Sequence, residues 1–315
     1  MSARPLRLGT RGSKLAMAQS GMIADALAEA AGRSVELVEI TTAGDISSAP
    51  LTQFGSVGVF VSALREALLA DEIDLAVHSY KDLPTAPAPG LVIAAVPPRE
   101  DPRDVLIARD GLTLGQLPDG ARVGTGAPRR VAQLRRWALG AGVAIECVPI
   151  RGNVDTRLRK VTDGELDAVV LAHAGLARLG RDGEITDALD PGVVLPAPAQ
   201  GALAVECRSA DAELTALIGA LDHPHTRAAV LAERTLLATL EAGCSAPVGA
   251  LADVRTLRTD GYHELHLSGA VIALDGSAAL RHSASGPLDD AEEIGRRLAV
   301  TLLDAGATTL MGSTA

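Results

Sequence analysis

The hydrophobic pattern opens on strand, loop and helix. Leu6-Arg7-Leu8 is a short apolar stretch, broken by Gly9-Thr10-Arg11-Gly12-Ser13. Leu15, Ala18, Met22, Ala26 and Leu27 then recur at helical spacing, with Ser13 placed to cap the helix. Val35–Ile40 predicts a second strand. Thr41–Ser56 is polar and glycine-containing and predicts a long mobile loop, placed to act as a lid. Val59–Leu69 predicts a helix and Ile73–His78 a buried strand. A proline-rich turn, Leu83–Gly90, leads to a strand at Leu91–Val96. Arg99-Glu-Asp-Pro-Arg-Asp104 is charged and interrupted by proline, which predicts a crossover between domains.

The pattern then repeats. Arg7-Leu8-Gly9-Thr10 has a counterpart in Arg122-Val123-Gly124-Thr125, and each precedes a helix that carries a glutamine, Gln19 or Gln133. Glu72-Ile-Asp-Leu-Ala-Val77 is echoed by Glu165-Leu-Asp-Ala-Val-Val170. Two echoes in the same order predict two related α/β domains, whose ligands are expected at the carboxyl ends of the strands. A third part begins near Asp222. There Ala228–Ala242 predicts a helix, Glu264–Leu274 a strand and Asp289–Ala305 an amphipathic helix, which together make a small α+β unit. Leu195-Pro-Ala-Pro-Ala-Gln-Gly-Ala202 is a proline-rich connection into a strand at Leu203–Cys207.

Composition narrows the classes. A chain of 315 residues holds two or three domains at the usual ~100–150 residues each. No apolar run approaches the ~18–20 residues of a membrane helix, and the first residues lack an apolar signal core, so a cytoplasmic location is expected. Three cysteines, Cys147, Cys207 and Cys244, are too few for a disulfide scaffold or a structural zinc site. A net charge of −10 and 2% aromatic residues argue against nucleic acid. Nothing in the sequence demands more than a monomer.

The candidate chemistry lies at strand ends. Arg11, Arg129, Arg130, Arg151, Arg157 and Arg178 all fall at strand-to-helix junctions. Any one of them is as readily a solvated helix-end arginine. Six together suit a polycarboxylate, because the guanidinium fork binds carboxylates bidentately. No complete phosphate-binding motif accompanies them. In Gly124-Thr-Gly-Ala-Pro-Arg-Arg130, Pro128 suits a first helical turn and Ala127 is a poor cap, which leaves N–H groups open to an anion. His78-Ser-Tyr-Lys-Asp82 is a dense polar cluster at the end of a buried strand. By spacing it reads first as an ordinary strand-to-turn cluster, with His78 structural, and otherwise as a site where Asp82 moves a proton. Cys147 and Cys207 lie on apolar strands. Cys244 follows a long helix in a small-residue loop and reads as a nucleophile, an attachment point or a bystander.

At these motifs, and at Arg99–Asp104, Arg151-Gly-Asn-Val154, Leu195–Ala202 and Gly243-Cys244, the chain resembles the porphobilinogen deaminase (hydroxymethylbilane synthase) family over essentially its whole length. The resemblance implies two periplasmic-binding-protein-like (type II) α/β domains around a cleft plus a small C-terminal α+β domain. Their bounds would be 1–101 with 197–219, 102–196 and 220–315. It implies a transferase of tetrapyrrole and haem biosynthesis that joins four porphobilinogen molecules on a dipyrromethane cofactor held by thioether to Cys244. Linear hydroxymethylbilane is then released. Asp82 matches the family's catalytic aspartate. Cofactor contacts fall on Ser13, Lys81, Asp82, Thr125, Arg129, Arg130, Arg151, Asn153 and Gly243, and substrate contacts on Arg11, Ser13, Phe60, Arg151, Arg157, Arg178 and Gln200. No metal is implied. The sequence departs from the family pattern at Gly126 and Ala127, where two hydroxyl donors are lost, at Val57 in place of a lysine, and at Ala242. A non-catalytic binding protein for an organic anion would explain the arginines but not Cys244 or Asp82. A deaminase acting on another aminomethyl substrate would keep Asp82 without a covalent pyrrole.

Overall fold

The computed structural model describes residues 4–40, 59–243, 246–256 and 263–311. The expected lid, Thr41–Ser56, lies outside them. The chain divides into two compact units, 1–100 with 202–227 and 101–201 with 228–315. Among the described residues no helix is long and apolar enough to cross a membrane.

The first unit is a five-stranded sheet. β1 (Leu6–Thr10) runs parallel to β2 (Val35–Glu39) and β3 (Leu75–Ser79). β10 (Leu203–Arg208) returns from later in the chain and inserts antiparallel between β3 and β4 (Leu91–Ala95). Helix α1 (Lys14–Ala31) starts where expected, because the Ser13 hydroxyl accepts the Ala16 N–H at 3.3 Å. It stops at Gly32, whose φ of 60° closes the last turn. Its Ile23, Ala24 and Leu27 pack on Leu6, Leu8, Leu75 and Val205. On the opposite face α2 (Val59–Leu69) packs Leu64, Ala67 and Leu68 on Ile73 and Ala76. Each fully buried leucine contributes roughly 1.5–3 kcal/mol.

The second unit repeats this plan. β6 (Ala121–Gly124) lies parallel to β7 (Ile145–Val148) and β8 (Ala168–Ala172), and β5 (Asp104–Ala108) runs antiparallel between β8 and β9 (Asp187–Ala188). Helices α3 (Pro128–Ala141), α4 (Val154–Thr162) and α5 (His173–Ala177) accompany it. One expectation changes here. The charged stretch Arg99–Asp104 does not end as linker, because Asp104 is the first residue of β5 and has no exposed surface.

A third, antiparallel sheet is a meander of β11 (Val248–Thr256), β12 (His263–Ile272) and β13 (Ala279–Pro287). Two further helices precede it, α6 (Ala212–Gly219), which packs on the first sheet, and α7 (Pro224–Thr239). The third sheet itself is covered by α7, α8 (Ala291–Asp304) and α9 (Ala307–Met311). The last long helix before Cys244 begins four residues earlier than its apolar pattern predicts, since proline is tolerated in a first turn. β13 was not predicted because its residues are largely polar and exposed. Along β12, Leu265, Leu267 and Val271 face these helices, while Ala270 and Ile272 pack on Ala132 of α3 and on Leu195. Arg135 and Arg136 seal that contact by donating to Leu274 O and Ser277 O at 2.9 and 3.1 Å. The fold is therefore α/β, with two five-stranded sheet domains and a smaller C-terminal sheet domain.

Candidate functional site

The carboxyl ends of the second sheet's parallel strands hold a buried ion cluster. α3 starts after Ala127, with Pro128 in its first turn and no side chain capping it, as the sequence predicts. The buried Thr125 hydroxyl accepts the Ala127 N–H at 3.3 Å. Gly126 has no room for a Cβ, which would stand 2.6 Å from Ile150 O. Arg129 and Arg130, only 5% and 6% exposed, both turn onto Asp104. Arg129 Nη1 donates to Asp104 Oδ2 at 2.7 Å and to Leu195 O at 2.5 Å. Arg130 donates Nε and Nη2 to Asp104 Oδ1 at 3.0 and 2.7 Å, and Nη1 to Val170 O at 2.9 Å. Gln200 Nε2 donates to the same Oδ1 at 2.9 Å and to Pro102 O at 2.7 Å.

The electrostatics leave this region with more positive than negative charge. Burial alone would raise the Asp104 carboxyl, but the two guanidinium groups outweigh it and hold the acid well below the usual carboxylate range. Burial pulls Arg129 below its ordinary value, as does the charge of Arg130, with Asp104 opposing. Arg157 on α4 is half-buried, and burial pulls it below its ordinary value, with the charge of Arg130 adding to the effect. Its Nε donates to Gly152 O at 2.8 Å. Two buried guanidinium groups thus share one buried carboxylate.

Arg151 is exposed. Asn153 caps α4, accepting from Thr156 N and Thr156 Oγ1 at 2.9 and 3.0 Å, so its carbonyl serves the helix. Arg178 ends α5 and donates Nη2 to Gly201 O at 2.6 Å. The proline-rich connection is clamped from the third sheet's side. The fully buried Glu233 of α7 accepts Ala199 N at 2.6 Å and Ala252 N at 2.8 Å, and Ala199 is held at a φ of 62°.

In the first unit, Arg11 and Ser13 follow β1, and a single 3-10 turn, Tyr80–Asp82, follows its neighbour β3. Lys81 is half-buried and Asp82 exposed. Gln19 of α1 donates Nε2 to Ser79 Oγ at 3.1 Å, tying the helix to the start of that turn. His78 is buried with its Nε2 3.2 Å from Glu206 Oε2, the structural placement the sequence reading expected. Arg65 of α2 grips Glu206 with Nε and Nη2 at 2.8–3.1 Å. Burial would raise the Glu206 carboxyl, but His78 and Arg65 together lower it.

Cys244 and Val57 lie outside the described residues, as does the side chain of Phe60. Gly243 follows α7 without regular secondary structure. Cys147 and Cys207 carry free thiols on β7 and β10, both pushed up by burial, as core cysteines are. Among the described residues no group of His, Cys, Asp and Glu is arranged to hold a metal ion. Sequence reasoning missed Asp104, Gln133 as a bonding partner, Glu233 and Arg65. Asp104 was visible as the last residue of a charged motif, but a buried acid looks like a linker acid until its strand is paired. Gln133 holds Leu195 through both ends of its amide, at 3.0 and 2.7 Å.

Comparison with known proteins follows the same lines. The family model described as "Porphobilinogen deaminase, dipyromethane cofactor binding domain" matches residues 6–216, and "Porphobilinogen deaminase, C-terminal domain" matches residues 227–304. The chain is 64% identical to "Porphobilinogen deaminase" of Nocardia farcinica over 310 residues, 98% of this chain and 88% of that protein. It is 60% identical to "Porphobilinogen deaminase 1" of Streptomyces coelicolor over 321 residues, the whole of both. Among solved structures, the periplasmic aliphatic sulphonate binding protein of Escherichia coli is similar with a TM-score of 0.38 and 17% identity, covering 76% of this chain and 71% of that one. Two family models span nearly all of the chain, and the relatives are matched at near full length. The chain belongs to the porphobilinogen deaminase family.

Proposed function

We propose that this chain joins four porphobilinogen molecules head to tail, with loss of ammonia, and releases linear hydroxymethylbilane, acting as a monomer in the cytoplasm. The observation that carries the reading is the surplus of buried guanidinium charge where Arg129 and Arg130 share one saturated carboxylate, Asp104. Burying cations without equal anions is costly unless a ligand supplies the anions. Each pyrrole unit brings two carboxylates, so the cofactor and the growing chain supply many. The domain bounds 1–101 with 197–219, 102–196 and 220–315 belong to the same reading.

The residues present fit a dipyrromethane group. Arg129, Arg130 and Arg157 would bind its carboxylates, helped by the uncapped N-terminus of α3. Gly126 lets the turn before α3 pack against the Ile150 carbonyl. Cys244 would carry the thioether. When bound, the cofactor supplies the nucleophilic pyrrole carbon that primes the chain. Asp82 would hold its carboxylate at the pyrrole nitrogen, where positive charge develops as ammonia leaves, and accept or return a proton there. Lys81 and Ser13 would orient cofactor carboxylates at the first sheet's strand ends. Arg11, Arg151, Arg178 and Gln200 would receive those of the incoming substrate. Thr125, Asn153 and Gly243 complete the cofactor set, and Phe60 would pack against a pyrrole ring. The free thiols of Cys147 and Cys207 suit a reducing cytoplasm.

The test is the intact mass of the purified protein beside a Cys244→Ala variant, both expressed in cells that supply porphobilinogen. The expected result is an excess equal to two condensed porphobilinogen units that disappears in the variant. Unmodified mass in both proteins overturns the reading.

A further inference from the structure

The two α/β sheets share a register, and that register supplies an internal control for Asp104. Gly9 pairs with Ala76 and Gly124 with Val169, so Ser79 corresponds to Ala172. Leu203 pairs with Ser79, and Asp104 pairs with Ala172. Counted from their caps, Ser13 and Ala127, Leu15 and Ala16 of α1 correspond to Arg129 and Arg130 of α3. One sheet is therefore built with Leu203, Leu15 and Ala16 where its twin has Asp104, Arg129 and Arg130. The architecture closes without the ions. A buried ion cluster is often no more stabilising than apolar residues in its place, so fold stability does not account for it.

We propose that Asp104 is a positioning residue: it holds the guanidinium groups of Arg129 and Arg130 in the orientation that offers their remaining N–H donors to the carboxylates of the dipyrromethane and of the growing chain. The inference rests on the reading above that these arginines bind those carboxylates. Both Asp104 oxygens are occupied, Oδ1 by Arg130 and Gln200 and Oδ2 by Arg129. Asp104 therefore has no reason to touch the ligand. Arg130 is fixed through all three of its nitrogens. Arg129 donates through Nη1 alone, and among the described residues its Nε and Nη2 have no partner. The negative charge of Asp104 also keeps two adjacent cations from splaying apart before any ligand carboxylate arrives. Gln200 anchors the acid in turn, and its segment is held by Glu233 through Ala199.

The experiment compares four proteins with wild type by intact mass, thermal midpoint, and kcat and KM of the cofactor-loaded fraction. Asp104→Asn keeps the shape and removes the charge. It should fold, and its loaded fraction should fall by about tenfold or more, as misoriented binding groups predict. In the molecules that do load, KM for porphobilinogen should rise more than kcat falls. Leu106→Ala, in the same strand with its side chain in the apolar core, should melt earlier yet load fully, which separates positioning from mere stability. The triple variant Asp104→Leu, Arg129→Leu, Arg130→Ala copies the first sheet and should fold without loading. Full loading and wild-type KM in Asp104→Asn would overturn the proposal. Loading that simply tracks thermal midpoint across Asp104→Asn and Leu106→Ala would overturn it too. Arg130→Gln tests the underlying reading separately. If it loads like wild type, the arginines do not bind the cofactor and the proposal falls with that reading. If it fails to load while Asp104→Asn succeeds, only the proposal falls.

Discussion

The two α/β sheets agree in their framework and diverge in their charged residues. In the first, Arg7 N donates to Asp74 Oδ2 at 2.8 Å and Asp74 N returns to Arg7 O at 2.8 Å. In the second, Arg122 N donates to Asp167 Oδ2 at 2.7 Å and Asp167 N returns to Arg122 O at 2.9 Å. Gly9 and Gly124 sit at matching positions, each crowded by an aliphatic side chain, Ile73 or Leu166. Gln19 and Gln133 stand six residues beyond their helix caps. Three residues past the corresponding strand ends, however, one sheet has Asp82 and the other Gly175. The arginine pair of α3 has only Leu15 and Ala16 opposite it. One framework thus carries different charged residues on its two copies, an exposed acid on one and a buried cation pair on the other. The shared positions report what the fold requires, and the unshared ones are free of that requirement.

That division can be broken in order of expected effect. Asp82→Asn should leave the fold and the covalent cofactor intact and lower kcat by about 10²–10⁴-fold, the usual contribution of a placed acid or base. Steady-state turnover with intact mass as control checks this, and near-normal turnover removes Asp82 from the mechanism. Asp74→Asn should cost roughly 3 kcal/mol at pH 7, because three arginines crowd its buried carboxylate. The matching change Asp167→Asn, at a more exposed pair, should cost about 1 kcal/mol or less.

The pH dependence sharpens the same contrast. Burial would raise the Asp74 carboxyl, but the arginine hydrogen bonds hold it below the usual range. A depressed folded-state value means that the unfolded chain binds the proton first as pH falls. The stabilisation is therefore complete above the unfolded value of about 4 and disappears in more acid solution. Urea unfolding at pH 7 and pH 2 should show the gap between wild type and Asp74→Asn closing, and a gap that is constant with pH would contradict the ion-pair account.

Two further effects complete the series. Arg157→Leu should raise KM about 10- to 150-fold, the worth of roughly 1.5–3 kcal/mol for a charge-assisted bond, with a smaller effect on kcat. An unchanged KM would make Arg157 a bystander. Gly9→Ala and Gly124→Ala should each cost about 1 kcal/mol, since the crowding atoms end flexible side chains. The two costs should add to within about 0.5 kcal/mol, as expected of separate sheets. Denaturant midpoints of the single and double variants measure both claims.

Much of this framework was legible along the chain. The Ser13 cap, Pro128 in a first turn, the uncapped Ala127 and the helix Val59–Leu69 all depend on neighbours in sequence, and all stand where the pattern placed them. The paired echoes were legible too, because both copies repeat the same residues at the same spacing. β13 was not, since a half-exposed polar strand at the edge of a small sheet has no apolar alternation to betray it. Nor was the burial of Asp104. A charged residue after Pro-Arg looks solvated until β8 and β9 close on either side of its strand.

The sequence by itself determined the α/β class, the repeat, the helix limits and the residues that carry the family's motifs, because these are set by local periodicity, capping and residue type. Only the tertiary structure decided which charges meet. It paired Arg129 and Arg130 with an acid 25 and 26 positions away, and His78 with Glu206 and Arg65 on separate elements. Such pairings depend on strand register and on the desolvation that follows burial, and neither exists until the sheets have formed.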